Sequence, residues 1–357
     1  MNLIIPAAGK STRFPGLKPK WMLTHPNGNI MVTEGIRELN LEKIESIFLV
    51  ILREHVEKYK CVEGIKKAFS DIGVSDTLKI VILNEETRNQ PETVARAIEM
   101  EQISGPIFIK DTDSGFKCIV EPGNAVAIYD LNKMSRVNDP ANKSYVMLDD
   151  NGLVSNIVEK QIISPLFCVG GYSFARSEEY METFYKLKEH ENLYVSHIIY
   201  QMILEGNVFQ PIFVNSYRDW GTLHDWNQYK SRYSTIFIDL DGTLLKNSGE
   251  YFEPKWGETS AIRENVDAVN ALYDSGRVKI IIMTSRREAY RDLTLQQLKR
   301  EDIKYHDIIF DLFHGKRIII NDYADSNPYK SCDAINIKRD SDELKRMLQD
   351  SLGFDIS

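Results

Sequence analysis

The amino-acid sequence predicts two α/β domains, because two alternations of apolar strands and helical patterns follow one another along its 357 residues. A chain of this length exceeds the size at which one hydrophobic core usually keeps growing. The first alternation starts with NLIIPA at residues 2–7, and the second starts with TIFIDLDG at 235–242. The boundary is predicted near residue 232, which divides the chain into domains 1–232 and 233–357.

The overall composition is typical of a soluble globular protein, with 43% hydrophobic and 27% charged residues. A formal charge of −8 leaves no sequence-wide basic surface, so nucleic acid and anionic membranes are not expected partners. The apolar runs are strand-sized, whereas a membrane-spanning helix needs about 20 apolar residues. The four cysteines form no CxxC pair and no signal-peptide pattern follows Met1, so a cytoplasmic protein is expected. The oligomeric state is left open, and a homo-oligomer is compatible with the sequence.

In the first domain, short apolar runs alternate with helical patterns, which predicts a mostly parallel sheet with helices on its faces. The runs are NLIIPA, SIFLVIL, KIVIL, PIFIKD and NAVAIYDL. The stretch DDNGLVSNIVE at 149–159 carries a turn signal between two extended segments. We therefore expect an antiparallel strand pair to join this sheet, which makes it mixed.

In the second domain, strands and helices also alternate. The strand TIFIDLDG is followed by a helical pattern in AIRENVDAVNALYDSG, by the strand VKIIIMTSR, by another helix and by a strand in RIIINDY. This order predicts a Rossmann-like parallel sheet whose strands are joined by helices.

A small-residue turn with three cations follows the first strand, in IIPAAGKSTRFPGLKPKWML. The turn consists of Ala7, Ala8 and Gly9, and the cations are Lys10, Arg13 and Lys20. Small residues let backbone N–H groups approach a phosphate closely. The three cations can neutralise a triphosphate, and an arginine can hold two phosphate oxygens at once. By composition alone, the stretch also fits a solvated basic loop.

The order of these features resembles the signature loop of the sugar-phosphate nucleotidyltransferases, GxGTRxxxxxxPK. Pro19 and Lys20 match the final pair of that signature, whereas Ala8 replaces a usual glycine. Loops that begin PAAG are typical of the cytidylyltransferase branch, so the resemblance favours CTP over the other nucleoside triphosphates.

Four further segments lie in the order that this family requires. RNQPETVARAI resembles the base-contacting segment, PIFIKDTDSGF the strand end that binds Mg²⁺, IVEK the sugar-holding segment and YRDWGTLHDW the second metal-binding segment. The matching residues are Gln90 and Thr93 for the base, Asp219 with either Asp111 or Asp113 for Mg²⁺, and Glu159 and Lys160 for the acceptor. Carboxylate oxygens suit Mg²⁺. The resemblance covers residues 1–230 and implies a GT-A-like sheet.

An enzyme of this family transfers a nucleotidyl group from an NTP to a sugar- or polyol-phosphate. Pyrophosphate leaves, and Mg²⁺ and fixed cations stabilise the charge that builds on it. A glycosyltransferase that uses a nucleotide-sugar is an alternative suggested only by the DTD at 111–113. It is disfavoured because such an enzyme does not need Arg13 and Lys20 for a free triphosphate.

The string FIDLDGTLL places Asp239 and Asp241 two residues apart, so both carboxylates project from the same side of a strand end. It resembles motif I of the haloacid-dehalogenase-like phosphatases. The resemblance implies that Asp239 attacks phosphorus and that Asp241 acts as the general acid and base. Further positions that match the family are Thr284 for phosphate binding, Lys316 for charge compensation, and Asp239, Asp241 and Asp322 for Mg²⁺. The short intervals between these motifs predict a capless domain.

Asn321 departs from the family pattern, because many relatives carry an acid there; Asp325 is a candidate to compensate for it. The sequence therefore supports two hypotheses. The first is a bifunctional nucleotidyltransferase and phosphatase of activated-sugar or polyol synthesis, such as that of bacterial capsules. The second is a nucleotidyltransferase whose C-terminal domain is a non-catalytic structural or dimerisation module.

Overall fold

The computed structural model describes residues 1–134, 140–249, 254–322 and 331–356. Packing divides the chain into two compact units, Met1–Trp226 and Asn227–Ser357. Within the described ranges, no helix is both long enough and apolar enough to cross a membrane.

The first unit is built on a mixed, mostly parallel sheet flanked by helices. Its strands are β1 (Asn2–Pro6), β2 (Leu39–Asn40), β3 (Ser46–Leu52), β4 (Leu78–Leu83), β5 (Ile107–Lys110), β6 (Ser114–Phe116), β7 (Cys118–Ile119), β8 (Ala125–Asp130), β9 (Ser144–Leu148), β10 (Val154–Glu159), β11 (Leu166–Phe174), β12 (Gln210–Phe213) and β13 (Tyr217–Asp219). Its helices are α1 (Met31–Ile36), α2 (Arg53–Tyr59), α3 (Val62–Asp71), α4 (Gln90–Glu101), α5 (Ser177–Leu187), α6 (Val195–Leu204) and α7 (Leu223–Lys230), the last of which runs across the division.

The main sheet has the strand order β10-β9-β11-β5-β1-β3-β4, with β8 beside β11 and β12 beside β8. Strands β1, β3, β4 and β5 are parallel, and β11 runs antiparallel to β5. Strands β9 and β10 form an antiparallel pair, which confirms the strand pair predicted from DDNGLVSNIVE. Because β1 lies at the centre of the parallel strands, its side chains are buried on both faces: Ile4 packs in one apolar cluster and Ile5 in another.

The second unit holds β14 (Ser234–Asp239), α8 (Arg263–Asp274), β15 (Val278–Met283), α9 (Arg291–Arg300), β16 (Asp307–Ile309) and α10 (Leu344–Leu352). Among its described residues, the three strands pair in parallel in the order β14-β15-β16. Val266 and Leu272 of α8 and Leu298 of α9 are buried against Ile280 and Ile282 of the sheet. Alternation of strands and helices thus gives the parallel arrangement that was predicted.

The prediction of a strand in RIIINDY is wrong. Residues 314–322 contain no strand, and Ile318, Ile319 and Ile320 are 74%, 52% and 92% exposed. Strand propensity measures how well a side chain fits a paired, half-buried sheet surface. The isoleucines do not pair with β14, so their high intrinsic propensity is not realised.

Candidate active site

A cleft of about 310 Å³ opens in the first unit where β1 and β5 end. These two strands are parallel neighbours, so the residues that follow them meet at one edge of the sheet. The cleft is lined by Pro6, Ala7, Gly9, Lys10, Ser11, Arg13, Lys20, Trp21, Thr87, Arg88, Asn89, Gln90, Thr93, Asp111, Thr112 and Asp113. Ala8 is instead buried in the core, where it is 1% exposed.

The N-terminus of α4 forms one wall of this cleft. Asn89 caps the helix by accepting a hydrogen bond from the backbone N–H of Glu92 at 3.0 Å, and Pro91 lies in the first turn. The partial positive charge of a helix N-terminus favours an anion. At this end of α4, the hydroxyls of Thr93 and Thr87 are hydrogen-bonded to each other at 2.6 Å.

Two of the three predicted cations, Lys20 and Arg13, converge on Asp113. Its Oδ2 lies 2.6 Å from Nζ of Lys20 and 3.2 Å from Nη2 of Arg13. Burial alone would raise the pKa of Asp113, but the charges of Lys20 and Arg13 hold that pKa well below its usual range. Ser11 orients the Lys20 segment by accepting a hydrogen bond from the Lys20 backbone N–H at 3.0 Å.

Asp219 comes from a distant part of the sequence and lies beside Asp113. Strand β13 pairs with β6, which sets Asp219 opposite Ser114, and the backbone N–H of Trp220 donates to the carbonyl of Asp113 at 2.9 Å. Gly221 lies between the charged groups: a methyl group on its Cα would lie 3.1 Å from Asp219 Oδ1, 3.3 Å from Arg13 Nη1 and 3.7 Å from Asp113 Oδ2. The two carboxylates therefore face a common space.

Asp111 has different surroundings from Asp113. Its carboxylate accepts a hydrogen bond from Nε2 of Gln90, and its backbone N–H donates to the carbonyl of Gly170 at 2.8 Å. Burial, together with the nearby charge of Asp113, raises the pKa of Asp111. The two acids that the sequence left as alternatives thus occupy distinct positions, and Asp113 is the one beside Asp219.

Lys143 was not predicted from the sequence. Its Nζ lies 2.5 Å from Asp219 Oδ2 and donates to the hydroxyl of Tyr217 at 3.0 Å. It immediately precedes β9, and one lysine before an apolar strand gives no sequence signal of a site. Only the pairing of distant strands brings this cation to the carboxylates.

Lys110 was also missed, because it follows the apolar run PIFI in the sequence. The side chain is completely buried, and its Nζ donates to the carbonyls of Asp111 and Ser114 at 2.7 and 2.8 Å and to the hydroxyl of Ser114 at 2.9 Å. Burial lowers the pKa of Lys110 to about 8. Its three hydrogen bonds fix the loop that presents Asp113.

Of the two residues predicted for the acceptor, Glu159 is the last residue of β10 and Lys160 follows it. Glu159 accepts hydrogen bonds from the hydroxyls of Ser196, at 2.8 Å, and of Ser144. Nζ of Lys160 donates to the hydroxyl of Tyr194 at 2.7 Å. Neither residue belongs to the lining of the cleft described above. Lys10, by contrast, lies at the cleft and pairs with Glu86 at 2.7 Å on the surface.

The second unit also presents two acids at a strand end. Asp239 ends β14, and its Oδ1 lies 3.0 Å from Nη2 of Arg317. Burial raises the pKa of Asp239, although Arg317 acts in the opposite direction. Both oxygens of Asp241 accept hydrogen bonds from Arg286, at 2.9 Å from Nε and 2.7 Å from Nη2.

Arg286 is a buried part of the protein interior. Its side chain is 0% exposed, and Nη1 donates to Thr294 and Gln297 at 3.1 and 2.8 Å. The hydroxyl of Thr284 accepts from the Arg286 backbone N–H at 3.1 Å, so Thr284 lies at the same sheet edge. The arginines at Asp239 and Asp241 were not predicted.

Two further residues predicted for this unit, Lys316 and Asp322, are exposed. Lys316 is exposed, and its neighbour Arg317 is the cation that contacts Asp239. The side chain of Asp322 is exposed, and its backbone carbonyl accepts from the hydroxyl of Ser331 at 2.7 Å. Asp325 lies outside the described residues. Within the described ranges of the chain, no three His, Cys, Asp or Glu side chains form a group that could hold a metal ion.

The chain matches no family model and no curated protein. It resembles a solved nucleoside-diphosphate-sugar pyrophosphorylase from Vibrio cholerae RC9, with 21% identity, a TM-score of 0.54, and coverage of 64% of this chain and 98% of the other. It also resembles an inositol-1-phosphate CTP transferase from T. maritima (18% identity, TM-score 0.50, 64% and 93% coverage). A UDP-glucose pyrophosphorylase complexed with UDP-glucose is similar as well (14% identity, TM-score 0.51, 64% and 96% coverage). The covered share corresponds in length to Met1–Trp226, and this likeness shows that the chain contains a unit with the fold of the sugar nucleotidyltransferases.

Proposed function

We propose that the first unit transfers a nucleotidyl group from a nucleoside triphosphate, with CTP favoured, to a sugar- or polyol-phosphate. The observation that carries the proposal is the convergence of two cations, Arg13 and Lys20, and two carboxylates, Asp113 and Asp219, at the end of the parallel strands. Opposite charges of this kind are what a triphosphate and its metal ion require from a binding site.

The triphosphate binds, in this proposal, between the Ala7–Gly9 turn and the N-terminus of α4. The turn offers small residues that let the chain approach a phosphate closely, the helix offers the partial positive charge of its N-terminus, and both line the cleft. Arg13 and Lys20 exchange their contact with Asp113 for contacts with phosphate oxygens. Their side chains are 55% and 21% exposed, so both reach the solvent of the cleft. Gln90 and Thr93 face the nucleotide from α4.

Magnesium is the metal ion that this reaction class implies, and the available donors fit it. Asp113 and Asp219 offer hard carboxylate oxygens around the Gly221 position. Mg²⁺ in such enzymes is held by one or two carboxylates together with substrate phosphates and water. When bound, it neutralises charge on the triphosphate and on the leaving pyrophosphate. We assign Asp113 and Asp219 to the metal, and Asp111 to orienting Gln90.

The reaction is an in-line displacement at the α-phosphorus. A phosphate oxygen of the acceptor forms a bond to the α-phosphorus, and the bond from that phosphorus to the oxygen bridging to the β-phosphate breaks. Pyrophosphate carries the electron pair away, and Arg13 and Lys20 stabilise its negative charge. Glu159 and Lys160 contribute to acceptor binding. The PAAG loop favours CTP, and the similarity to an inositol-1-phosphate CTP transferase adds a polyol phosphate to the first substrates to assay.

The test is pyrophosphate release with Mg²⁺ and each of CTP, UTP, ATP, GTP and dTTP. Each nucleotide is combined with glucose 1-phosphate, inositol 1-phosphate and glycerol 3-phosphate. We expect release with CTP and at least one acceptor, and no release without an acceptor. No pyrophosphate release with any pair of nucleotide and acceptor would contradict the proposal.

Phosphate-monoester hydrolysis by the second unit is a second candidate function. Asp239 favours it, because a carboxylate at the end of a parallel strand, with Thr284 at the same edge and Arg317 in contact, is suited to attack a phosphoryl group. The alternative, a non-catalytic unit, is favoured by Asp241, because the buried Arg286 engages both oxygens of its carboxylate. Asn321 favours the same alternative.

The two alternatives for the second unit make opposite predictions for Asp239→Asn. If the unit hydrolyses phosphate monoesters, the wild-type protein cleaves p-nitrophenyl phosphate or a sugar phosphate and the variant does not. If the unit is non-catalytic, neither protein does so. Pyrophosphate release by the first unit serves as the control that each preparation is folded.

A further inference from the structure

Lys143 links the segment proposed to bind the acceptor to the carboxylate pair. Its carbonyl accepts from the backbone N–H of Lys160 at 2.9 Å, and the next residue, Ser144, donates its hydroxyl to Glu159. Its Nζ reaches Asp219. One residue therefore touches both the acceptor segment and a carboxylate of the reaction site.

The two oxygens of Asp219 face different partners. Oδ1 accepts from the backbone N–H of Gly221 at 3.0 Å, next to Arg13, whereas Oδ2 contacts Lys143. The cations of the triphosphate loop and the lysine before β9 therefore approach the carboxylate pair from different sides. This separation suits a reaction that brings two anionic substrates together.

Aromatic rings hold the Lys143 ammonium in place. Its Nζ lies 5.1 Å from the ring centre of Phe167 and 5.2 Å from that of Tyr217, and its side chain is only 10% exposed. Attraction between a cation and a ring face strengthens as water is excluded. Lys143 thus keeps its charge at a fixed position, unlike the more exposed Arg13.

We propose that Lys143 binds the phosphate group of the acceptor, the group that attacks the α-phosphorus. The inference rests on the proposed nucleotidyl transfer. Two polyanions repel each other, and the cations of the loop are engaged by the triphosphate, so the attacking phosphate needs a cation of its own. Lys143 supplies that cation beside Asp219.

The test measures phosphate-monoester binding by isothermal titration calorimetry, with and without a non-hydrolysable CTP analogue and Mg²⁺. The probes are glucose 1-phosphate, inositol 1-phosphate and glycerol 3-phosphate. We expect Lys143→Met to raise the Kd of the bound monoester at least tenfold and to change the Kd of the CTP analogue less than threefold. Lys143→Arg keeps the charge and should restore most of the binding.

Lys79→Met is the matched control, because Lys79, on β4, also has its Nζ close to an aromatic ring centre, 5.0 Å from that of Phe48. It should change neither Kd. Tyr217→Phe removes the hydroxyl that accepts from Lys143 and is also hydrogen-bonded to Asp219, and we expect a loss of about threefold in monoester affinity. This variant keeps the test decisive if Lys143→Met does not fold.

Three results would overturn the inference. They are equal losses of monoester and nucleotide affinity in Lys143→Met, no loss of either, and a wild-type protein that binds none of the monoesters under either condition. Failure of the proposed function is distinguishable from these results: no pyrophosphate would be released with any nucleotide, while Lys143-dependent monoester binding would persist.

Discussion

Each unit pairs a carboxylate with basic side chains, but the solvent exposure of those basic side chains differs between the two units. In the first unit, Asp113 is paired with Arg13 and Lys20, whose side chains are 55% and 21% exposed. In the second unit, Asp241 is paired with Arg286, which is 0% exposed and hydrogen-bonded to two further side chains. An exposed partner can move to a ligand at little cost, whereas removing a buried partner leaves an uncompensated charge in the interior. The first arrangement fits exchange during a reaction, and the second fits structural stabilisation.

Lys20→Met should produce the largest effect. It removes a cation that the proposal assigns to the triphosphate, and removing one such charge-stabilising group lowers kcat/KM by about 1000-fold, equivalent to about 4 kcal/mol of transition-state stabilisation. The measurement is the steady-state rate of pyrophosphate release. Lys18→Met, an exposed lysine two positions earlier, is the control and should retain wild-type activity. Equal activity of the two variants would remove Lys20 from the mechanism.

Arg286→Met should produce the largest loss of stability. The variant leaves Asp241 without its bidentate partner and removes the hydrogen bonds from Arg286 to Thr294 and Gln297, which costs about 3 kcal/mol of unfolding free energy in the second unit. Arg13→Met, at an exposed pair, should cost less than about 1 kcal/mol. Hydrogen–deuterium exchange of peptides from β15 and from β1 measures each unit separately. Similar effects in both variants would refute the contrast between fixed and exchangeable partners.

Gly170→Ala tests how tightly the Asp111 loop is packed. Gly170 has φ +85°, and an added Cβ would lie 2.6 Å from Asp111 Oδ2. Gly152 is the control position: it has φ +75°, and an added Cβ would meet no atom within 4 Å, so Gly152→Ala measures the backbone strain alone. We expect Gly152→Ala to lose about 1 kcal/mol of unfolding free energy and Gly170→Ala at least about 2 kcal/mol, measured by urea denaturation. Equal losses would mean that Asp111 can move aside freely.

Lys110→Met should change how stability depends on pH. The pKa of Lys110 is about 8 in the folded protein, below the value of 10.5 expected when the chain is unfolded. Between these values the unfolded state binds more protons, so this group makes the unfolding free energy rise with pH, by at most about 1.4 kcal/mol per pH unit. The groups that face it include Asp111, Asp113, Cys118 and Lys20. The unfolding free energy of the wild type minus that of the variant, measured by urea denaturation from pH 8 to 10, should rise with pH. A difference that does not change with pH would contradict the low pKa of Lys110.

Local patterns predicted much of the fold. Continuous apolar runs predicted the parallel strands, because strands buried on both faces lack polar alternation. The turn in DDNGLVSNIVE predicted the β9–β10 pair. The run RIII failed as a predictor, because a strand needs a partner and intrinsic propensity does not supply one. The buried lysine Lys110 was also unpredictable, since its hydrogen bonds depend on the path of the loop that follows it.

The sequence by itself determined which residues could carry charge at the ends of the strands: Arg13, Lys20, Asp111 and Asp113 follow directly from strands or turns that local patterns predict. Only the tertiary structure decided which acid lies beside Asp219, that Lys143 contacts Asp219, and that Arg286 fixes Asp241. The physical reason is the sequence separation over which each kind of interaction acts. Periodicity and turn chemistry act over a few residues, whereas the pairing of β13 with β6 and the burial of a guanidinium depend on parts of the chain that meet only after folding.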